Sequence, residues 1–280
     1  IYTLSLHDAL PISGMAGAAS QRLELESALR HALEKDELFL YYQPQLDLRS
    51  RQIVGVEALL RWRRANGSYV APADFIPIAE QSTLIITLSQ WLINQICRQI
   101  LSWDHIRLPP LRVSFNVAAR HFRHAQILAT LHECVSRYAI DPARLSIELT
   151  EDALLDDAAH ARTILDEIKR IGLSISIDDF GAGYSSLACL RSYPIDELKI
   201  DQRFIAELAT SQDSRAIAAS INAIGNTFGL RVVAEAVETA EQLAILREQN
   251  CPIVQGYHVA NPMSANALAD WIRYRQEGPT

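Results

Sequence analysis

The chain has 280 residues, of which 49% are hydrophobic and 21% are charged. A chain of this length and composition can bury a sizeable core, which excludes disorder as a description of the whole protein. Its 26 lysines and arginines stand against 33 aspartates and glutamates, for a formal net charge of −7. Because no basic stripe is present to neutralise phosphates, binding to the backbone of a nucleic acid is not expected.

The spacing of the cysteines and the most apolar window of the chain bear on two further classes, proteins built on cysteine frameworks and proteins that span a membrane. The cysteines have no CxxC spacing and are expected to be buried thiols of a reduced compartment: Cys97, Cys134, Cys189 and Cys251. The most apolar window, residues 84–103, is interrupted by polar side chains. It therefore predicts an amphipathic helix, and no membrane-spanning segment is expected in this chain.

The N-terminal segment differs in character from the rest of the chain. Residues 2–12, YTLSLHDALPI, resemble the translation of a sequencing-library adapter, so residues 1–13 are expected to be an artefact, with a disordered native tail as the alternative. Residues 14–37 are expected to be a linker and an entry helix with apolar Leu25, Leu29 and Leu33. This helix either connects to a preceding domain or packs on the domain that follows, which is expected over residues 38–275.

Short apolar runs alternate with longer helical patterns along the remaining chain. Strands are predicted at residues 38–46, 53–60, 111–117, 145–149, 173–177, 197–200, 231–236 and 253–257. Helices are predicted at residues 84–101, 125–138, 158–171, 211–228 and 241–249. This alternation predicts an α/β fold of the (β/α)8 barrel type, with an open doubly wound sheet as the alternative. Only a few residues around 49–52 join the first two strands, so the first strand is predicted to be antiparallel to the second.

Polar side chains interrupt the apolar runs at or near the carboxyl ends of the predicted strands. In a barrel these ends meet on one face, where catalytic groups gather. The residues concerned are Glu57, Asn116, Glu148, Asp178, Asp179, Lys199, Asp201, Glu235 and Gln255. Helix capping or an ion pair would explain any one acid, but several carboxylates in one small region raise each other's pKa unless cations neutralise them. Such oxygen ligands favour Mg²⁺ or Mn²⁺ over zinc.

The adjacent aspartates Asp178 and Asp179 point to a particular kind of metal site. Neighbouring side chains of a strand point to opposite faces, so two useful carboxylates in a row require the strand to end there. One aspartate can then bridge two cations while the other binds the second, as in two-metal sites that act on phosphate esters. An enolase-like lyase, which also uses acids and a lysine in a barrel, is the alternative from the residues alone, but it has no need of Asn116 beside a double aspartate.

The order of motifs resembles the EAL domain family over approximately residues 23–271. The matching strings are YQP at 42–44, EALLRW at 57–62, FIPIAE at 75–80, SFNVA at 114–118, ELTE at 148–151, DDFGAGYSSL at 178–187, LKID at 198–201, AEAVE at 234–238 and QGY at 255–257. The resemblance implies a modified TIM barrel with an antiparallel first strand. It also implies a bacterial phosphodiesterase that uses two Mg²⁺ or Mn²⁺ ions per site to hydrolyse cyclic di-GMP to linear 5′-pGpG.

The resemblance further implies a role for each matched residue. The metal ligands would be Glu57, Asn116, Glu148, Asp178, Asp179 and Glu235. The catalytic groups would be Lys199, Asp201, Gln255 and Glu235, where Glu235 is either a ligand or the general base. The substrate contacts would be Gln43, Leu60, Arg61 and Lys199. Loops would be supported by Glu151, which could reach the loop of residues 178–187 or Ser185, and by Glu238.

The same resemblance implies partners and a location. A homodimer is expected because in this family the loop of residues 178–187 couples the metal site to dimerisation. A sensor or GGDEF domain is expected on the N-terminal side in the full-length protein. The location is expected to be cytoplasmic, which leaves room for a membrane anchor elsewhere in the full-length chain.

The chain departs from the family pattern at a few positions, of which Ala236 is the most telling. The family usually has glycine there, so a left-handed backbone at Ala236 would be strained. Such departures bear on turnover rate and nucleotide affinity more than on the chemistry. The alternative function is a catalytically weak EAL module that acts as a cyclic di-GMP receptor, although a module of that kind should have lost metal ligands.

Overall fold

The barrel strands follow the apolar runs of the sequence. The structure is a computed structural model that describes residues 12–124, 126–154, 157–181 and 187–277. Within them the strands are β1 (Leu38–Asp47), β2 (Ile53–Arg63), β3 (Tyr69–Val70), β4 (Arg112–Asn116), β5 (Leu145–Thr150), β6 (Ser174–Phe180), β7 (Glu197–Ile200), β8 (Arg231–Ala234) and β9 (Ile253–Gln255). The eight predicted strands are confirmed, and the two-residue strand β3 was not predicted.

Hydrogen bonding between the strands closes them into a barrel. The order is β1-β9-β8-β7-β6-β5-β4-β2-β3, and an additional pairing of β1 with β2 completes the ring. β1 is antiparallel to both neighbours, whereas β2 and β4 to β9 form a parallel series. The antiparallel first strand is therefore confirmed, and closure excludes the open doubly wound sheet. The carboxyl ends of the parallel strands define the mouth of the barrel, where β1 begins.

Helices cover the outside of the barrel and connect its strands. They are α1 (Ile12–Glu34), α2 (Pro72–Glu80), α3 (Leu84–His105), α4 (Ala119–Phe122), α5 (Gln126–Tyr138), α6 (Ala158–Ile171), α7 (Leu187–Ser192), α8 (Gln202–Ala206), α9 (Gln212–Phe228), α10 (Ala240–Glu248) and α11 (Ala265–Glu277). The five predicted helices are all present. Among the described helices, none is long and apolar enough to cross a membrane.

Two apolar clusters hold these elements together. The larger lies between the barrel and its helices and includes fully buried Phe115, Ile147 and Ile175 from alternate strand positions. The smaller cluster packs α1, α2 and α3 against one face of the β1–β2 hairpin, with Leu29 and Trp62 at 0% exposure. Helix α1 therefore packs on the barrel, which is one of its two predicted roles.

Inside the barrel the alternate positions are polar. Three serines are buried inside the barrel, namely Ser114 on β4, Ser146 on β5 and Ser176 on β6. Ser114 pairs with Ser146, and Ser176 pairs with Glu148. Because side chains alternate between the two faces of a strand, these positions share their side with Glu148 and Asp178 further along β5 and β6. The inward-facing side chains thus change from small hydroxyl groups inside the barrel to carboxylates at its mouth.

Candidate active site

A single buried lysine stands at the centre of the mouth. Lys199 is 1% exposed on β7. Its Nζ lies 2.6 Å from Glu235 Oε1, 2.8 Å from Glu148 Oε2, 3.3 Å from Asp178 Oδ1 and 3.6 Å from Glu57 Oε2. One ammonium group therefore faces four carboxylates, and the cluster carries excess negative charge.

The pKa values of the cluster follow from this imbalance. Burial raises the pKa of Glu148 well above its ordinary value, and neighbouring carboxylates led by Glu57 raise it further against the opposing effect of Lys199. Burial likewise raises the pKa of Glu235 to about 8 against the same lysine. Burial alone would lower the pKa of Lys199, but the surrounding carboxylates raise it well above its ordinary value. The lysine thus stays charged while the carboxylates compete for protons.

Asn116 ties two of these carboxylates together at the end of β4. Its Nδ2 donates to Glu57 Oε1 at 3.0 Å and to Glu148 Oε2 at 3.2 Å. The pairing of β4 with β5 sets Asn116 directly beside Glu148. The other oxygen of Glu148, Oε1, is buried and has no hydrogen-bond partner in the described part of the chain. A buried carboxylate oxygen without a donor is costly, and it suits a cation.

Three glutamine side chains on β1 and β9 form a hydrogen-bonded row that orients Glu57. Gln255 Nε2 donates to Glu57 Oε2 and, at 3.2 Å, to Gln43 Oε1. Gln45 Nε2 donates in turn to Gln255 Oε1 at 3.0 Å. All three amides are buried. The network shows how β1 and β9, which pair with each other, fix the side chain of Glu57 on β2.

The adjacent aspartates lie where β6 leaves the barrel. Asp179 has a φ of +53°, so the backbone turns there and the Asp179 side chain does not point away from the mouth. Asp178, Asp179 and Glu235 each offer a carboxylate oxygen, and these oxygens lie within 4.8 Å of one another. Burial, together with Asp178 and Asp201, raises the pKa of Asp179. The strand does not end at this pair as predicted: β6 continues to Phe180, which pairs with Ile200, and an irregularity in the register between Ile177 and Phe180 contains the two aspartates.

Asp201 occupies a separate position at the start of α8. Its Oδ1 accepts from Arg203 N at 2.7 Å, and its Oδ2 lies 2.8 Å from Arg203 Nη2. Although burial acts to raise the pKa of Asp201, the hydrogen bonds from Arg203 hold it below its ordinary value. Asp201 therefore stays ionised beside Asp179 and caps the helix, and its predicted contact with water or phosphate stays a prediction.

Two tight turns position Glu235 and Gln255. Ala236 has a φ of +49°, so the expected left-handed backbone is present at this non-glycine residue. At Gly256, where φ is +155°, an added Cβ would lie 2.2 Å from Val237 N. Only glycine permits this close approach, which holds the segment after Gln255 against the segment after Glu235.

The predicted substrate contacts on β2 point in different directions. Arg61 lies over the ring of Tyr41, 5.9 Å from its centroid, and its Nη1 donates to Leu60 O. Arg61 lies four residues after Glu57 on β2, so the period-two alternation of a strand puts both side chains on the same face. Leu60 instead packs against the smaller apolar cluster. The structure thus places Arg61 near the site and does not bring the Leu60 side chain to that face.

The predicted loop supports are only partly described. Glu151 is buried in a short helical turn after β5, whereas Ser185, its predicted partner, lies outside the described residues. Glu238 is exposed, and its backbone N–H donates to Gln242 Oε1 at 2.8 Å. Glu238 therefore lies in a hydrogen-bonded helix start rather than among the carboxylates.

Two residues in or beside the site were missed from the sequence. Gln45 follows Gln43 at the two-residue spacing of a strand, so its burial in the glutamine row could have been inferred from the string YQPQ. Arg203 lies two residues after Asp201, but sequence spacing does not reveal whether an arginine near a helix start turns back to its cap residue.

Fold and site together define an eight-stranded barrel domain with a carboxylate-rich site at the carboxyl ends of its strands. The family model of the EAL domain matches residues 26–262, and the chain belongs to this family. The resemblance inferred from the motifs is thereby confirmed.

Named relatives share most of this chain but extend far beyond it. The bifunctional diguanylate cyclase/cyclic di-GMP phosphodiesterase MucR of Pseudomonas aeruginosa is 38% identical over 256 residues, which is 91% of this chain and 37% of the relative. The cyclic di-GMP phosphodiesterase NbdA of the same organism is 39% identical over 91% of this chain and 33% of its own length. The chain thus spans about a third of these curated relatives.

Solved structures agree with the fold. The PaMucR phosphodiesterase in complex with c-di-GMP has a TM-score of 0.84 at 38% identity, covering 88% of this chain and 99% of that one. The EAL enzyme Bd1971, bound to cAMP and cyclic-di-GMP, has a TM-score of 0.86 at 30% identity, with 93% and 72% coverage.

Proposed function

We propose that this chain is a phosphodiesterase domain that hydrolyses cyclic di-GMP to linear 5′-pGpG with two divalent cations, Mg²⁺ or Mn²⁺. The single observation that carries the proposal is the convergence of four carboxylates on buried Lys199 at the mouth. Relatives named as cyclic di-GMP phosphodiesterases at 38–39% identity support the choice of substrate. The residues at the mouth keep the roles that the family resemblance implies, whereas the side chain of Leu60 packs in the smaller apolar cluster.

The residues at the mouth fit a pair of hard cations. Every candidate ligand offers oxygen, which is the donor that Mg²⁺ and Mn²⁺ prefer. The unpartnered Oε1 of Glu148 and the three close oxygens of Asp178, Asp179 and Glu235 support the proposal of two cations. When bound, such cations lower the pKa of water and offset the charge of a phosphate.

Side chains of the protein would stabilise the charge on the phosphoryl group and take up the proton of the attacking water. Lys199 remains protonated and can face an oxygen of the phosphoryl group, where negative charge grows as water attacks phosphorus. Attack in line breaks the P–O3′ bond, which leaves the phosphate on the 5′ side and frees a 3′ hydroxyl. Glu235 lies close enough to the aspartates to take the proton of the attacking water or to serve as a ligand, and both roles fit its position.

The test is product formation by the purified chain. With Mg²⁺ or Mn²⁺ and cyclic di-GMP, chromatography should show pGpG from the parent chain and none from Glu57→Gln. Glu241→Gln makes the same chemical change at an exposed carboxylate on α10 and should retain full activity. Tight binding without pGpG would refute hydrolysis and favour the receptor alternative.

A homodimer, an N-terminal sensor or GGDEF domain and a cytoplasmic location remain part of the proposal. The relatives are about three times the length of this chain, which leaves room for further domains in a longer protein. Sedimentation of the purified chain at several concentrations tests the dimer, and a monomer at all of them would contradict it.

A further inference from the structure

Two cysteines from neighbouring helices meet on the outside of the barrel. Cys97 lies on α3 and Cys134 lies on α5, and these two helices pack side by side. The residues are 0% and 2% exposed and belong to the larger apolar cluster. The S–H group of Cys97 donates a hydrogen bond to the sulfur of Cys134. The two thiols are therefore in contact, although they are far apart in the sequence.

Polar side chains on the adjoining turns hold the two helices in this alignment. The hydroxyl of Tyr138 donates to Asn94 Oδ1 at 3.2 Å and accepts from Arg98 Nε at 3.2 Å. Asn94 is three residues before Cys97, and Tyr138 is four residues after Cys134. Residues at these spacings share a face of a helix, so the tyrosine bridge sets the faces that carry the two thiols against each other.

A third buried cysteine provides a contrast within the same chain. Cys251 is 3% exposed, and its Sγ donates to Ile253 O at 3.5 Å. Burial raises the pKa of this thiol to about 12. Cys251 thus faces a backbone carbonyl where the other two cysteines face each other. It serves as a matched control, because it is equally buried.

The contact makes the two paired thiols chemically unequal. The hydrogen bond from Cys97 lowers the pKa of Cys134, although burial opposes this effect. The same hydrogen bond raises the pKa of Cys97. The thiolate is the form of cysteine that attacks an oxidant, so Cys134 is expected to react first and Cys97 to resolve the product.

The pair lies close to the protein surface, although both residues are buried. Arg98, which follows Cys97, is exposed, and so is Glu133, which precedes Cys134. Hydrogen peroxide is little larger than water, so a small local opening between the two helices would admit it. A bulky oxidant would need a much larger opening.

We propose that Cys97 and Cys134 form a reversible dithiol–disulfide pair that a peroxide oxidises. The Cys134 thiolate attacks one peroxide oxygen, the O–O bond breaks, and the departing hydroxide takes up a proton to become water. The sulfur of Cys97 then attacks the sulfenic acid sulfur of Cys134, the S–S bond forms, and the S–O bond breaks to release a second water. The two thiols lose two electrons and the peroxide gains them, and a small dithiol reverses the step.

The disulfide would join two adjacent units of the barrel. Helix α3 lies between β2 and β4 in the chain, α5 follows β4, and β2 pairs with β4. The bond would close residues 97–134 into a loop, which restricts the unfolded chain more than the folded one. Oxidation should therefore raise the melting temperature, by about 5 °C. This inference does not depend on the proposed function.

Peptide mapping of the folded chain tests whether the bond forms. The parent is treated with hydrogen peroxide, its remaining thiols are blocked with iodoacetamide, and the digest is analysed by mass spectrometry. We expect a linked pair of peptides that contains Cys97 and Cys134, together with blocked Cys251. Dithiothreitol added before the blocking step should abolish the link. A folded chain in which the link is absent, or a link that forms only in urea, would overturn the inference.

Thermal unfolding tests the consequence in matched variants. Each chain is compared with its own reduced form, so any stability lost through the substitution itself cancels. Peroxide should raise the melting temperature of the parent and of Cys251→Ala by about 5 °C. It should not raise that of Cys134→Ala or Cys97→Ala, and either variant suffices if the other fails to fold. A rise of the same size in these two variants, or no rise in the linked parent, would contradict a stabilising cross-link.

Discussion

The two poles of the barrel each bury an ionic centre, but the two centres are built oppositely. At the amino ends of the strands, Glu197 is fully buried between Arg112 and Arg231, so one carboxylate meets two cations. At the mouth, one cation meets four carboxylates. At the first centre the two arginines balance the charge of the buried carboxylate, although both contact Oε2 and Oε1 has no hydrogen-bond partner among the described residues. The second is left with an excess of negative charge, which bound protons or added cations relieve, and this excess distinguishes it from the charge-balanced centre at the other pole.

The largest expected effect is the loss of activity that a substitution at the mouth should cause. Asp178→Asn should lower kcat at least about a thousandfold, because in the proposed mechanism this carboxylate is shared by both cations. The metal-free variant should be no less stable than the parent in thermal unfolding, since one source of repulsion is gone. Parental turnover in this variant would disprove the assignment of Asp178.

The opposite pole should show the reverse pattern. Glu197→Gln should lower the free energy of unfolding by about 3 kcal/mol, because two arginines lose the partner of a buried ion pair. Urea unfolding measures the loss, and kcat at a temperature where the variant is folded should stay close to that of the parent. A large drop in kcat with normal stability would contradict the division between the poles.

The dependence of stability on pH should expose the repulsion at the mouth. The folded-state pKa of Glu235 is about 8 against an ordinary value of 4.5, so the folded chain holds a proton that the unfolded chain releases between these values. Stability of the metal-free chain should therefore fall as pH rises from about 5 to 8. Because solvent reaches part of this side chain, we expect a contribution of only about 2 kcal/mol.

Unfolding of parent and Glu235→Gln across that range isolates this contribution. The variant should lack it, so the difference in stability between the two chains should change with pH. A difference that stays constant from pH 5 to 8 would show that Glu235 is ionised throughout in the folded state.

The smallest effect concerns the strained backbone beside Glu235. Ala236→Gly should raise stability by about 0.5–1 kcal/mol, because relief of a left-handed alanine outweighs the entropy that glycine adds to the unfolded chain. Ala223→Gly, on the exposed face of helix α9, should instead lower stability by about 1 kcal/mol. Equal losses in both variants would mean that Ala236 is not strained.

The sequence predicted most of the barrel because its signals are local. Each barrel strand is a short apolar run, and the connection of residues 48–52 between β1 and β2 is too short for a parallel crossover. Strand β3 and helices such as α4 and α8 were missed because elements of two to five residues carry little periodicity. Helix α11, whose sequence is polar on average, was also missed.

The mouth was predicted better than the opposite pole for a related reason. Glu148 and Lys199 interrupt or end apolar strand runs, so each is visible in its own segment. The partnership of Arg112 with Glu197 joins residues 85 positions apart, and only the closed barrel brings them together. The direction of Leu60 could have been predicted from the EALLRW string, because Leu60 is three residues after Glu57 and strand side chains alternate between the two faces.

Calorimetric titration of the metal-free chain with Mn²⁺ tests whether the mouth is incomplete without cations. We expect saturable binding of about two ions per chain, with affinity that rises from pH 6 to 8 as the carboxylates lose their protons. Asp178→Asn should lose that binding and Glu197→Gln should keep it. Absence of saturable binding, or binding that Asp178→Asn leaves intact, would show that the mouth is not a metal site.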